Sequence, residues 1–285
     1  MKVFVTGKGG QLASEFEKLK GKDPDWTFLS YEDLDITNES EVKKFFKNKQ
    51  IDVIINCAAY TAVDQAEDDV KLSYAVNETG VKHLLDVCKT SKSKLIHYST
   101  DYVFNGESSE PYSEKSIPDP QSIYGKSKLA GEQLLKKEKA VQSVIIRTSW
   151  VYSNFGHNFV KTMLRLGREK SELGIVSDQI GSPTYAHDLA RDSLKVLEDT
   201  RYEWKNADIF HYSNEGSCSW YEFAIQIFHL KGLNLQLNPL STEQFPTRAI
   251  RPKYSLLDKT KFKETFNIEI NAWKYSLEKM LKSEI

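Results

Sequence analysis

Short apolar runs of strand length recur along the first half of the chain, separated by amphipathic helical stretches, and this alternation narrows the fold further than any other feature. Residues 2–6, 51–56 (Ile-Asp-Val-Ile-Ile-Asn), 95–99 and 144–147 are β-branched or otherwise largely apolar. Continuous apolar strands suit a parallel sheet buried on both faces, because a sheet with one wet face would alternate polar and apolar residues. Between the runs, Asn38-Glu39-Ser40-Glu41 has the pattern of a capping box and leads into Val42, Phe45 and Phe46. Val81, Leu84, Leu85 and Cys88 form a second apolar stripe, and Leu129, Leu134 and Leu135 a third. Strands alternating with such helices predict right-handed βαβ units and an α/β fold, a Rossmann-type doubly wound parallel sheet.

After about residue 150 the pattern loosens. Residues 155–168, 220–229 and 272–282 read as helices, 175–184 as strand and loop, and Pro239, Pro246 and Pro252 punctuate the stretch between. No Gly/Ser-rich linker precedes this region. The expected organisation is a nucleotide-binding domain over residues 1–150 plus parts of about 185–215. A smaller interleaved α/β substrate lobe would take about 151–184 and 216–285.

Composition excludes several classes of partner. With a formal net charge of −1 over 285 residues, the chain has no electrostatic footprint for nucleic acid or an anionic membrane. No apolar run approaches the ~20 residues that span a bilayer, and Met-Lys-Val-Phe-Val-Thr-Gly has no signal-peptide character. Cys57, Cys88 and Cys218 are odd in number and far apart, which fits free thiols in a reducing cytoplasm. The histidines lack metal-ligand spacing, so no metal site is expected.

The chemistry-bearing motifs lie in the first half. Gly7-x-x-Gly10-x-x-Ala13 follows the first strand and opens a helix. Glycines there permit a tight turn and close approach of backbone N–H groups to a pyrophosphate, and the small third residue lets helix pack on strand. The second strand, expected at residues 27–30, ends in Ser30, where an NAD-binding fold often has an acid to grip the ribose 2′-hydroxyl. Lys8, inside the turn, could meet a 2′-phosphate. The cofactor expectation is therefore NADPH, with NADH as a further candidate. Tyr124 and Lys128 are spaced to share one helical face. An ammonium within about 4–6 Å lowers a phenol pKa that starts near 10, which would make Tyr124 a proton donor with a reductive rate falling as pH rises.

These strings, together with Asn56-Cys57-Ala58-Ala59-Tyr60-Thr61-Ala62-Val63-Asp64-Gln65-Ala66-Glu67, His97-Tyr98-Ser99-Thr100-Asp101-Tyr102-Val103-Phe104 and Tyr124-Gly125-Lys126-Ser127-Lys128, extend a pattern that continues through Arg147-Thr148-Ser149-Trp150, Asp178-Gln179-Ile180-Gly181-Ser182-Pro183-Thr184 and Arg251-Pro252. Over nearly its whole length the chain resembles the extended short-chain dehydrogenases/reductases, most closely the dTDP-4-dehydrorhamnose reductase family. The resemblance implies reduction of the C4 ketone of dTDP-4-dehydro-6-deoxy-L-mannose to dTDP-L-rhamnose, a step in deoxysugar and cell-surface polysaccharide synthesis. It implies that Tyr124 protonates the ketone oxygen, Lys128 holds the nicotinamide ribose and Thr100 hydrogen-bonds the same oxygen. Gly7, Lys8, Gly10, Gln11, Leu12, Asp35, Ile36, Ala58, Ala59, Tyr60 and Tyr98 would contact the cofactor along with Tyr124 and Lys128. Thr61, Val63, Thr100, Asp101 and Trp150 would meet the sugar, and Arg251 its diphosphate, with Arg248 a second candidate.

Plainer roles compete at several of these positions. Thr100 could cap a strand end, Trp150 could be a core aromatic, and both arginines could be surface residues. Another 4-keto-6-deoxy nucleotide sugar would suit the same motifs, and so would a non-catalytic relative like the regulatory subunit of methionine adenosyltransferase. Dehydration is disfavoured, because Tyr102 stands where a dehydratase would have the Glu of an acidic pair after Thr100. Some relatives dimerise around magnesium through glutamates. Glu15 is present here, but His187 takes the place of a second glutamate, so no metal is expected and a homodimer stays open.

Overall fold

The computed structural model describes residues 1–283. In chain order, β1 (Val3–Thr6), α1 (Gln11–Lys20), β2 (Trp26–Leu29), α2 (Glu39–Phe46) and β3 (Val53–Asn56) begin the fold. Next come α3 (Val63–Ala66), α4 (Val70–Tyr74), a π-helical turn at Ala75–Thr79 and α5 (Gly80–Ser91), then β4 (Lys94–Thr100), α6 (Ile123–Lys137) and β5 (Ser143–Thr148). The remainder holds β6 (Val151–Tyr152), α7 (Phe159–Glu169), β7 (Glu172–Val176), β8 (Ile180–Gly181), β9 (Thr184–Tyr185), α8 (Ala186–Glu198) and β10 (Asp208–Tyr212). It closes with β11 (Cys218–Ser219), α9 (Trp220–Lys231), β12 (Gln236–Leu240), α10 (Thr260–Phe266) and α11 (Trp273–Lys282).

The main sheet has six strands in the order β10-β5-β4-β3-β1-β2, all parallel. Its apolar runs are buried on both sides. Val3, Val5, Val53, Ile55, Val144 and Ile146 enter one core with Phe16, Leu189 and Phe210, while Phe4, Ile54 and Ile145 enter the opposite core with Val42, Leu84 and Leu135. This is the doubly wound α/β arrangement that the strand composition predicts. Chain direction across the sheet reverses between β1 and β3, and open α/β sheets bind ligands outside the carboxyl ends of strands at such a switch point. A separate core joins Tyr152, Val160, Leu164, Phe223, Ile227, Trp273 and Leu277.

Several elements differ from the sequence expectation. The helix read at 155–168 starts only at Phe159, because Asn158 turns its side chain onto the Lys161 N–H as an N-cap. The Asn158 amide also donates to Gln11 Oε1 (3.0 Å) and the Ser153 carbonyl (2.8 Å), tying this loop to the start of α1. Only half of the capping box at Asn38 forms: Asn38 accepts from the Glu41 N–H, but Glu41 accepts from the Asp35 N–H instead. The sixth strand, β10, has no counterpart in the strand pattern read from the sequence. Phe262, Phe266 and Ile270, expected in the smaller lobe, pack into the sheet's core against Phe210.

One buried ion pair fixes the helix that carries Tyr124. Arg147 at the end of β5 and Glu132 on α6 are 1% and 0% exposed. Two hydrogen bonds join them, Nε to Oε1 at 2.8 Å and Nη2 to Oε2 at 2.6 Å. Removing one partner would leave an unpaired buried charge, which typically costs about 3–5 kcal/mol, so α6 is clamped on the sheet in one register.

Candidate active site

At the switch point the glycine turn follows β1. Gly7 has φ +79°, and a Cβ there would lie 2.7 Å from the Ala58 nitrogen, so the turn after β1 and the loop after β3 touch backbone to backbone. The Gly10 N–H closes the turn on the Gly7 carbonyl at 3.0 Å. No side chain caps α1, which leaves its opening N–H groups and the positive end of its dipole to an anion.

A cleft of about 720 Å³ runs from this turn to α6. Gly7, Lys8, Gly10, Gln11, Leu12, Asp35, Ile36, Ala58, Ala59 and Tyr60 line it. Tyr98, Tyr124 and Lys128 line it as well. The fold thus brings every sequence-expected cofactor residue into one cavity, whose volume, bare helix start and glycine turn fit a dinucleotide. Ser30 lines the cleft, but its N–H and hydroxyl both donate to Asp33 Oδ2 at 2.9 Å. An acid therefore does reach the end of β2, where the sequence shows only Ser30, because Asp33 folds back from three residues on. Lys8 Nζ lies 3.1 Å from Glu17 Oε1 at the surface.

Tyr124 and Lys128 sit one turn apart on α6, held at its start by the Ser122 cap on the Gly125 N–H. Gly125 has no room for a side chain, since a Cβ would strike the Tyr102 carbonyl. The Tyr124 pKa is not lowered. Burial pushes the phenol up to about 12, the Asp101 charge pushes the same way, and a hydrogen bond with Thr100 acts against both. Lys128 does not offset the rise because its ammonium points elsewhere, donating to the Tyr98 carbonyl at 2.6 Å and lying 3.4 Å from His97 Nε2. Burial brings Lys128 down to about 8, against the Glu132 charge. The expectation of a depressed phenol pKa is thus corrected: desolvation outweighs the Thr100 hydrogen bond, the ammonium does not act on the phenol, and Tyr124 is protonated at neutral pH.

Thr100 ends β4, where its hydroxyl donates to Asp101 Oδ1 (3.1 Å) and accepts from the Tyr102 N–H (3.2 Å). It is a strand-end cap and a neighbour of the phenol at once. Asp101 is 2% exposed, its Oδ2 has no hydrogen-bond partner, and burial raises its pKa to about 6.

The sugar-side residues are less assembled. Thr61 lines the cleft, and Val63 opens α3. Trp150 adopts φ +47° and stacks on Trp220 with centroids 3.5 Å apart. The Arg251 fork is taken by a carboxylate: Nη1 and Nη2 donate to Asp64 Oδ1 and Oδ2 at 3.0 and 2.7 Å. Arg248 pairs with Asp68. Arg251 nevertheless stays near the reaction centre, since its charge acts on Tyr102, whose ring meets Tyr124 edge-on at 5.5 Å.

The family model described as the RmlD substrate binding domain matches residues 1–285. The chain belongs to that family. Among family relatives, a dTDP-4-dehydrorhamnose reductase of Aggregatibacter actinomycetemcomitans is 41% identical, covering 97% of each chain. The spore coat polysaccharide biosynthesis protein SpsK of Bacillus subtilis is 40% identical over 99% of this chain and 97% of its own. The crystal structure of a dTDP-4-dehydrorhamnose reductase from Bacillus anthracis in complex with NADP superposes with a TM-score of 0.92 at 40% identity, covering 99% of this chain and 100% of that one.

Within this RmlD-type site, two residues carry more than their sequence context announced. Asn77, in the π-helical turn, accepts from the Tyr60 N–H (3.0 Å) and donates to the Tyr60 carbonyl (3.1 Å), clamping a loop that lines the cleft. Its sequence surroundings, Val76-Asn77-Glu78-Thr79, offer no signal for that role. His97, read as part of a strand motif, lies directly behind Lys128. Glu15 and His187 pair at 3.1 Å, and among the described residues no group of three or more His, Cys, Asp or Glu side chains could hold a metal ion. No helix among them is long and apolar enough to cross a membrane.

Proposed function

We propose that this chain reduces the C4 ketone of dTDP-4-dehydro-6-deoxy-L-mannose to dTDP-L-rhamnose with NADPH. The observation that carries the reading is that Tyr124 and Lys128 line one dinucleotide-sized cleft with Thr100 beside the phenol, in a chain of this family. When bound, the cofactor supplies hydride to the ketone carbon. The uncapped start of α1 and the Gly7–Gly10 turn hold the pyrophosphate, Asp35 and Ile36 flank the adenine, and Lys128 grips the nicotinamide ribose. Tyr124 donates its phenolic proton to the ketone oxygen as negative charge develops there. A phenol at about 12 is always loaded for that transfer near neutral pH. Thr100 contributes a second hydrogen bond by turning its hydroxyl from Asp101 to the same oxygen. Thr61, Val63, Asp101 and Trp150 surround the sugar, and Arg251 exchanges Asp64 for the substrate diphosphate. The three free thiols suit a cytoplasmic setting, where the nucleotide sugar is made.

The test is NADPH oxidation by the purified protein against a panel of 4-keto-6-deoxy nucleotide sugars. Turnover of the dTDP-4-dehydro-L-rhamnose member to dTDP-L-rhamnose is the expected result. Tight NADPH binding with no turnover of any member would overturn the reading and leave a non-catalytic binding protein.

A further inference from the structure

Behind Lys128 a file of buried polar side chains crosses three neighbouring strands. Thr6 ends β1, Asn56 ends β3 and His97 lies in β4, paired in register Thr6–Asn56 and Asn56–His97. They are 1%, 1% and 0% exposed. Thr6 Oγ1 lies 2.7 Å from Asn56 Oδ1, the Asn56 amide 3.1 Å from His97 Nδ1, and His97 Nε2 3.4 Å from Lys128 Nζ. Apolar residues at this register would pack the sheet without the desolvation cost of polar groups, so the file calls for a role beyond packing.

The imidazole is neutral, because burial and then the Lys128 charge hold its pKa well below the usual histidine value. An ammonium offers only donors, so Nε2 must accept from it and the ring proton sits on Nδ1. Asn56 then meets that proton with its carbonyl end, the two ends of an amide being alike in shape. We propose that His97 is a positioning residue for Lys128. With the Tyr98 carbonyl it occupies two of the three ammonium N–H groups, so that the third is aimed at the nicotinamide ribose. The ribose contact rests on the function proposed above. The file is a brace and carries no proton, since an amide in its middle does not pass one on. The other titratable groups facing the ammonium are Glu132, one turn along α6, and Cys57 in the cleft lining.

The test is NADPH affinity by fluorescence titration across pH for the full-length protein. Hydrogen bonds to charged groups contribute about 1.5–3 kcal/mol, so His97→Leu should weaken NADPH binding roughly tenfold or more. It should also move the alkaline loss of affinity to lower pH, because the ammonium loses an acceptor. His97→Gln, whose carbonyl reaches about as far as Nε2, should restore most of both, whereas His97→Asn should behave like Leu. Should the Leu variant fail to fold, the Gln–Asn contrast decides alone. In a Lys128→Met background, His97→Leu should change nothing further. Wild-type affinity in His97→Leu, Gln no better than Asn, or an equal loss in the Lys128→Met background would each overturn the proposal. Cofactor binding is the readout, so a protein that binds NADPH but reduces no sugar would sink the substrate reading and leave this one standing.

Discussion

On the cofactor side of the cleft, the walls come from the carboxyl ends of strands adjacent in one sheet, whereas the sugar side is closed by segments up to 187 residues apart, as Asp64 and Arg251 are. The first set is held by backbone contact at Gly7, by the Asn77 clamp and by a buried Arg147–Glu132 pair. The second is held by ion pairs at partly exposed positions, with Arg251 and Asp64 at 24% and 39% exposure. An exposed pair such as Arg248–Asp68 contributes about 0–1 kcal/mol, and the bidentate Arg251–Asp64 fork more. A phosphate matches the same bidentate fork, which is the basis for the proposed exchange of Asp64 for the substrate diphosphate. One half of the site is therefore built before any ligand arrives, and the other, in the proposed function, exchanges its contacts.

The contrast is broken most directly at the reaction centre. Tyr124→Phe removes the proton donor and leaves the prebuilt half intact. Stopped-flow turnover should show kcat lower by about 10²–10⁴-fold with unchanged NADPH affinity. Near-normal turnover with the chemical step rate-limiting would remove Tyr124 as the acid. Lys128→Met comes next and should damage kcat and NADPH affinity together. Lys128 is protonated below a pKa of about 8, so wild-type NADPH affinity should hold at neutral pH and fall as pH rises through that value. The Met variant should show no such dependence in the same titration. The phenol itself should not set an alkaline limb in this range, because its pKa is raised, not lowered.

Arg251→Ala tests the exchangeable half. Loss of a charged bidentate contact should raise KM for the nucleotide sugar about tenfold or more while NADPH affinity stays put, and steady-state kinetics on both ligands separates the two. Equal weakening of both ligands would show that Arg251 holds the fold through Asp64 instead. The smallest effect is expected at Lys8, whose ammonium is at the surface beside Glu17. Lys8→Ala should narrow the preference for NADPH over NADH by only about two- to fivefold, the scale of an exposed charge contact, and parallel titrations would reveal it.

Much of the cofactor half could be read from the chain. Strands buried on both faces are apolar throughout, a turn that touches its neighbour's backbone requires glycine, and residues four apart on a helix share a face; each is a local rule that survives folding. The late start of α7 and the carboxylate that Asp33 brings to Ser30 come from contacts three residues apart, local caps within reach of a sequence reading, whereas the return of Phe262 and Phe266 to the sheet core depends on contacts that no local pattern encodes. The same holds for protonation. The Tyr124–Lys128 spacing places phenol and ammonium on one helical face, but only the packed interior decides that desolvation raises the phenol with no opposing effect from the ammonium. It also decides that the ammonium turns to Tyr98 and His97, and that Arg251 rests on Asp64. Spacing is a property of the covalent chain, whereas solvation and the choice among charged partners exist only once distant segments have closed over them.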